Sequence, residues 1–120
     1  PALDELFDTI ESSPATSSNP ADYIDAHSLE YRELTYYGQY SLNYIFHKFM
    51  EGEQNGFRGQ LMRILLDDLA PEAKLRLYAE TGQEYFDEWA KGAVQVLKQH
   101  DMDWIKENQP AMWIYLQMVE

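Results

Sequence analysis

The sequence contains no cysteine. That excludes disulfide frameworks, thiolate zinc sites, iron–sulfur clusters and cysteine nucleophiles from this chain, and it fits a reducing compartment. No apolar run approaches the roughly 18 residues that span a bilayer. The start, Pro1-Ala2-Leu3-Asp4-Glu5, is acidic where a secretory signal is basic. The expected location is therefore cytoplasmic, with no membrane contact. There is no nucleophile elbow, no P-loop and no dinucleotide glycine fingerprint. Gly56-Phe57-Arg58-Gly59 has two glycines but no Lys-Ser/Thr after them, and reads as a turn.

Metal chemistry is equally poor in signal. The di-iron pattern of helical bundles needs Glu-x-x-His on two helices, and no Glu stands three residues before His27, His47 or His100. Asp25-Ala26-His27 and His100-Asp101-Met102-Asp103 are short clusters of the kind that 21 acidic residues produce by chance. The carboxylate pairs Asp67 with Asp68 and Glu84 with Glu88 read as solvated helix faces. No metal, cofactor or catalytic residue is assigned, and the expectation is a protein that is not an enzyme.

Bases are scarce as well: nine against 21 acids, for a net charge of -12. The imbalance is steepest at the front. Residues 1–47 carry eight carboxylates (Asp4, Glu5, Asp8, Glu11, Asp22, Asp25, Glu30, Glu33) and one base, Arg32. Such a chain repels DNA, RNA and anionic lipid directly and attracts a basic protein or a cation. The bland counterpart is an acidic surface kept only for solubility.

What the chain does have is size and rings. At 120 residues it fits one domain with its own core. Its 45% hydrophobic and 14% aromatic content, with nine Tyr and three Trp, supplies large amphipathic side chains whose polar tips need partners.

Periodicity is helical throughout. Leu3, Leu6, Phe7 and Ile10 recur at i, i+3, i+4 and i+7, with acids on the other faces, which predicts a short amphipathic helix. Residues 12–20 form a Ser/Pro linker, closing on an Asn19 cap and Pro20 at the first helical position. Ser28 is expected to cap a long helix running to about Glu51. One stripe of that helix is Tyr31, Thr35, Gly38, Leu42, Ile45, Phe46 and Phe49. The other is Tyr36, Tyr40, Tyr44, His47 and Glu51, with Tyr37 beside them. Gln54-Asn55-Gly56 ends it, and a further helix covers about Phe57 to Leu69. Pro71 is expected to open a helix lasting to about His100, with Gly82 either breaking it or serving a close approach. Asp101 or Asp103 caps a turn, and Pro110 opens a last helix over Ala111 to Val119. No sustained period-two run is read, so no strand is expected.

The expected fold is all-α: an irregular bundle of five or six helices around one long central helix, about 28–51. It forms a single helical domain over 1–120, with 1–18 as a potential N-terminal arm and linker. The expected core is Leu42, Ile45, Phe46, Phe49, Leu61, Ile64, Leu65, Leu75, Tyr78, Phe86, Trp89, Val96 and Leu97.

The favoured function is a non-enzymatic acidic module, of adaptor, inhibitor or immunity type, that binds a basic protein. A nucleic-acid-binding partner held by mimicry is one form of this. Its contacts would be Asp4, Glu5, Asp8, Glu30 and Glu33, with Tyr36, Tyr40 and Tyr44 as anchors. Carboxylates would steer the encounter and rings would supply the affinity. Two alternatives stand beside it. One is self-assembly, as a homodimer, through the C-terminal helix (Met112, Trp113, Leu116), which is apolar nearly all round. The other is a small-ligand or enzyme site on the Tyr36-Tyr40-Tyr44-His47 face.

Overall fold

A computed structural model describes residues 2–119. Among them the backbone forms eight α-helices and one 3₁₀ turn, with no strand. The helices are α1 (Ala2–Glu11), α2 (Pro20–Ala26), α3 (Ser28–Tyr36), α4 (Gln39–Glu51), α5 (Phe57–Leu69), α6 (Gly82–Gln99), α7 (Met102–Asn108) and α8 (Pro110–Met118). The all-α irregular bundle stands; the count of five or six does not. The break at Tyr37-Gly38 divides the predicted long helix, and the short turns expected after Asn19 and after Asp101 are full helices, α2 and α7.

The largest correction concerns the predicted long helix. It is two helices, α3 and α4, separated at Gly38, whose φ is +48°. No L-residue adopts that region cheaply, so glycine permits the turn. A Cβ at Gly38 would meet nothing within 4 Å, so conformation and not crowding requires it. Ser41, buried in the corner, donates its hydroxyl to the Leu34 carbonyl at 2.6 Å. That satisfies one of the carbonyls orphaned where α3 ends. Ser28 is correspondingly not the cap: His27 is, and Ser28 lies inside α3.

The hub is α5 instead. It packs on α1, α2 and α3 at one side and on α4 and α6 at the other. The helices α4, α6, α7 and α8 close the second half, and the body measures 46 by 27 by 23 Å. The second half is centred on rings. Phe46, Phe49, Phe86, Trp89 and Tyr115 stack or meet edge to face, with centroids from 4.8 Å (Phe49–Phe86) to 6.2 Å (Phe86–Trp89). Such pairs add to the stabilisation from apolar area alone.

The stretch after Pro71 also differs from expectation. Pro71 opens only the 3₁₀ turn Pro71–Ala73. Residues 74–79 then form a strap with no helix or turn, entered in extended geometry at Lys74 (φ -63°, ψ 128°), and α6 starts at Gly82, where Thr81 caps by accepting from the Glu84 amide at 3.0 Å. Exposure alternates along the strap: Leu75, Leu77 and Ala79 are half-buried, and Lys74, Arg76 and Tyr78 face water. Tyr78 is therefore not core. Neither is Leu97, because no residue of α6 after Ala93 is buried. Ile64, Leu75 and Val96 are half-buried and the other predicted core residues are buried.

At the front of the chain, Leu3, Phe7 and Ile10 are buried, and α1 lies against α3 and α5. The Ser-rich linker is tied down by side chains. The Tyr23 hydroxyl donates to the Ser17 carbonyl at 2.6 Å, and Ser13 bonds the His27 ring at 2.9 Å.

Candidate functional site

The α3–α4 corner gathers four of the eight anticipated contact residues, Glu30, Glu33, Tyr36 and Tyr40. Helix α3 sets Leu29 and Tyr36 two turns apart on one outward face, and they are 70% and 84% exposed. After the break, Tyr40 is 58% exposed on the first turn of α4. Tyr37 joins them edge to face, its ring 5.9 Å from Tyr36 and 6.0 Å from Tyr40. Its hydroxyl donates to Glu33 at 3.0 Å. That bond is the main cause holding the Tyr37 phenol above its ordinary pKa. The corner is thus a short aromatic ladder with one rung clamped, set among Glu30 and Glu33. His27 Nδ1 lies 3.7 Å from Glu30.

Beside the ladder lies a hollow of about 280 Å³ lined by Leu3, Tyr40, Asn43, Tyr44 and His47. The break at Gly38 turns α4, and α1 then supplies the hollow's second wall. Tyr44 is not an outward anchor. It stacks on Phe7 at 5.5 Å and donates its hydroxyl to Asp4. Burial and then that bond push its pKa up to about 12, and the same bond is the chief reason that the Asp4 carboxyl titrates below its usual range.

Asp4 and Asp8 are also drawn inward electrostatically. Arg58 lies 2.5 Å from Asp8, bonds Glu11 through Nε, and lies 3.8 Å from Asp4. Glu5 and Asp8 are both exposed, and of the two only Asp8 is paired with Arg58 among the described residues. No local spacing points to Arg58, because its partners are 47 and 50 residues away along the chain.

The predicted self-association residues divide differently. Met112 and Leu116 are buried in this chain's own core, where α8 packs on α4, α6 and α7. Both side chains lie within the core, at 4% and 3% exposure. Trp113 is half-buried, with the Lys106 ammonium 4.9 Å above its ring.

Two further hollows have no counterpart in the sequence reading. One, of about 710 Å³, runs between the end of α4, α6 and α8, with Phe49, Phe86, Ala90 and Val94 on its floor and Asp87 and Lys91 on its rim. The other, about 380 Å³, lies under the strap among Gln60, Arg63, Asp67 and Lys74. Asp67 is there raised above the usual carboxylate range by burial, although the Tyr85 hydroxyl donates to it.

Tyrosine tips held by carboxylates recur across the molecule: Tyr44 on Asp4, Tyr85 on Asp67, Tyr31 on Asp68, Tyr37 on Glu33. Tyr85, like Tyr44, is pushed up to about 12, by burial and then by its carboxylate. In the unfolded chain both phenols titrate near about 10. Their contribution to stability is therefore complete below pH of about 10 and is lost as pH climbs toward about 12. Phenolate absorbance and far-UV dichroism followed together test this. Ionisation of Tyr44 and Tyr85 should coincide with unfolding. In Tyr44→Phe the alkaline loss of stability should be shallower; an unchanged slope would contradict the assignment.

Among the described residues no group of three or more His, Asp or Glu could hold a metal ion, and no helix is long and apolar enough to cross a membrane. No protein family, curated protein or solved structure matches the chain.

Proposed function

We propose that this chain is a non-enzymatic, acidic protein-binding module that engages a basic protein through the α3–α4 corner. One observation carries the reading: Tyr36 and Tyr40 hold large rings in water on a rigid helix corner. Tyrosine is a favoured anchor at interfaces because it brings much contact area with few rotors. The surrounding Glu30, Glu33 and Glu5 complement basic groups on the partner. The hollow beside Tyr40 has the size and aromatic wall to seat one cationic side chain. Asp4, Asp8 and Tyr44 take a supporting role, because their polar atoms already serve one another and Arg58.

Capture from native lysate at low and moderate salt tests this. A basic protein should be retained at low salt and lost as screening shortens the electrostatic reach. Tyr36→Ala and Tyr40→Ala should each weaken capture by about tenfold or more, and should leave stability within about 0.5 kcal/mol of the parent. Binding indifferent to both substitutions and to salt would sink the proposal. If the partner binds nucleic acid, competition by duplex DNA for the same surface distinguishes mimicry from simple docking.

A further inference from the structure

The extended strap at residues 74–79 is unusual for an all-helical protein. Among the described residues, Arg76, Leu77, Tyr78 and Ala79 take part in no backbone–backbone hydrogen bond. Their donors and acceptors are therefore left to water, as along a free sheet edge. In an extended chain, successive residues place their side chains on opposite faces and their N–H and C=O groups at opposite edges. The Leu75 amide points into the body, donating to the Tyr85 hydroxyl at 3.0 Å. By that alternation the amides and carbonyls of Arg76 and Tyr78 point the other way. Their side chains are also on the outward face, where Tyr78 is 87% exposed.

The strap's sequence is self-complementary. Reading Lys74-Leu75-Arg76-Leu77-Tyr78-Ala79-Glu80 against its own antiparallel image about Leu77 places Lys74 opposite Glu80 and Arg76 opposite Tyr78. Leu75 falls opposite Ala79, and Leu77 opposite itself. Each unlike pair occurs twice under the two-fold axis. The outward face then carries two ion pairs and two cation–aromatic pairs, both favourable across strands. Arg76 and Tyr78 form the hydrogen-bonded pairs. A register centred on Arg76 would instead oppose Arg76 with Arg76. The strap is also the place where a chain of net charge -12 presents two exposed bases together, Lys74 and Arg76.

We propose that this strap is a pairing edge through which two copies of the chain join as an antiparallel two-stranded ribbon centred on Leu77. None of the strap's residues belongs to the α3–α4 corner.

Sedimentation velocity over a range of protein concentrations reads the association. The parent chain should dimerise. Lys74→Glu sets like charges opposite each other at both ends of the ribbon, as does Glu80→Lys, and each should weaken the dimer by about tenfold or more. The double exchange, Lys74→Glu with Glu80→Lys, restores both pairs and should restore the dimer. Tyr78→Pro removes an amide that has no backbone partner within the chain and suits an extended backbone. It should give a monomer with unchanged helical dichroism and melting. A chain that stays monomeric at every concentration would overturn the proposal. So would a dimer that tolerates Lys74→Glu, which would point to a register centred on Tyr78 or to another surface, and so would a double exchange that fails to recover the parent's affinity.

Discussion

Replacing Gly82 with alanine is expected to lower stability by about 3 kcal/mol or more, the upper range for overpacking. A methyl at that position would lie 2.1 Å from the Gly59 carbonyl oxygen, 2.4 Å from its carbon and 2.9 Å from its Cα. All three are backbone atoms, so no side chain can swing aside. The only relief is to separate α5 from α6. That separation is resisted by the Gln54–Gln83 clasp: the Gln83 amide donates to the Gln54 carbonyl at 3.1 Å, and the Gln54 amide donates to Gln83 Oε1 at 3.0 Å. Gln83 Nε2 also donates to the Phe49 carbonyl at 3.0 Å, so strain at Gly82 spreads to the end of α4. A fall in the melting midpoint of about 10 °C or more follows for a chain of this length. Gly92→Ala is the matched control. Its nearest neighbour would be Met112 Cε at 3.8 Å, an ordinary contact, and it sits within α6. There alanine should stabilise by about 0.5–1 kcal/mol through helix propensity. If both variants melt alike, the close crossing is not what Gly82 serves.

Gly82 shows how far the sequence could be read. Its two alternatives, a break or a close approach, are both realised, and periodicity had no means of joining them. The break itself was signalled. Thr81-Gly82-Gln83-Glu84 has the spacing of a helix start, Thr with Glu three residues on, and Thr81 does cap α6. Spacing alone masks that signal, because Leu75, Tyr78 and Tyr85 also fit a helical period. The same stretch sets Leu75, Leu77 and Ala79 at every second position between Lys74, Arg76, Tyr78 and Glu80, which is the pattern of an extended chain. Gly38 was likewise legible as a helix end, but it was absorbed into a stripe that is continuous on paper only. In α1, where the apolar period contains no glycine, Leu3, Phe7 and Ile10 are buried as the spacing implies.

The candidate site was legible in part. The ring-rich face and the acidic front are sequence features, and Tyr36 and Tyr40 do face water at the corner. What no spacing argument could show was which rings and acids are already engaged. Tyr44 and Tyr36 are equivalent on a helical wheel, yet one is stacked on Phe7 and the other is free of the body, because the wheel ends at Gly38. The difference is made by α1, whose docking depends on contacts about 50 residues apart.

Those contacts meet at Arg58, and Arg58→Met should cost about 2 kcal/mol. Exposed ion pairs contribute roughly 0–1 kcal/mol, so a single surface pair would not suffice. Here one guanidinium serves several groups at once. It bonds Asp8 at 2.5 Å and Glu11 through Nε, donates to the Tyr44 hydroxyl at 3.3 Å, and lies 5.0 Å from the Phe7 ring centre. Charge-assisted bonds of this kind are stronger than neutral ones. Methionine would keep much of the packing on Phe7 and remove the charge, which leaves Asp4, Asp8 and Glu11 repelling across α1. Arg58→Lys should recover less than half of the loss, since an ammonium cannot reproduce the fork. The pH dependence has a definite sign. The Asp4 carboxyl is held low by the Tyr44 hydroxyl first, with the Arg58 charge acting in the same direction. A carboxylate depressed in the folded state adds stability above its unfolded pKa of about 3.9, and that stability is lost as pH falls through the folded value. The gap between parent and Arg58→Met should therefore be full at neutral pH and close as pH drops below about 4. Urea titrations at several pH values would measure it. A gap that persists unchanged into acid would mean that Arg58 holds α1 by packing and not by charge.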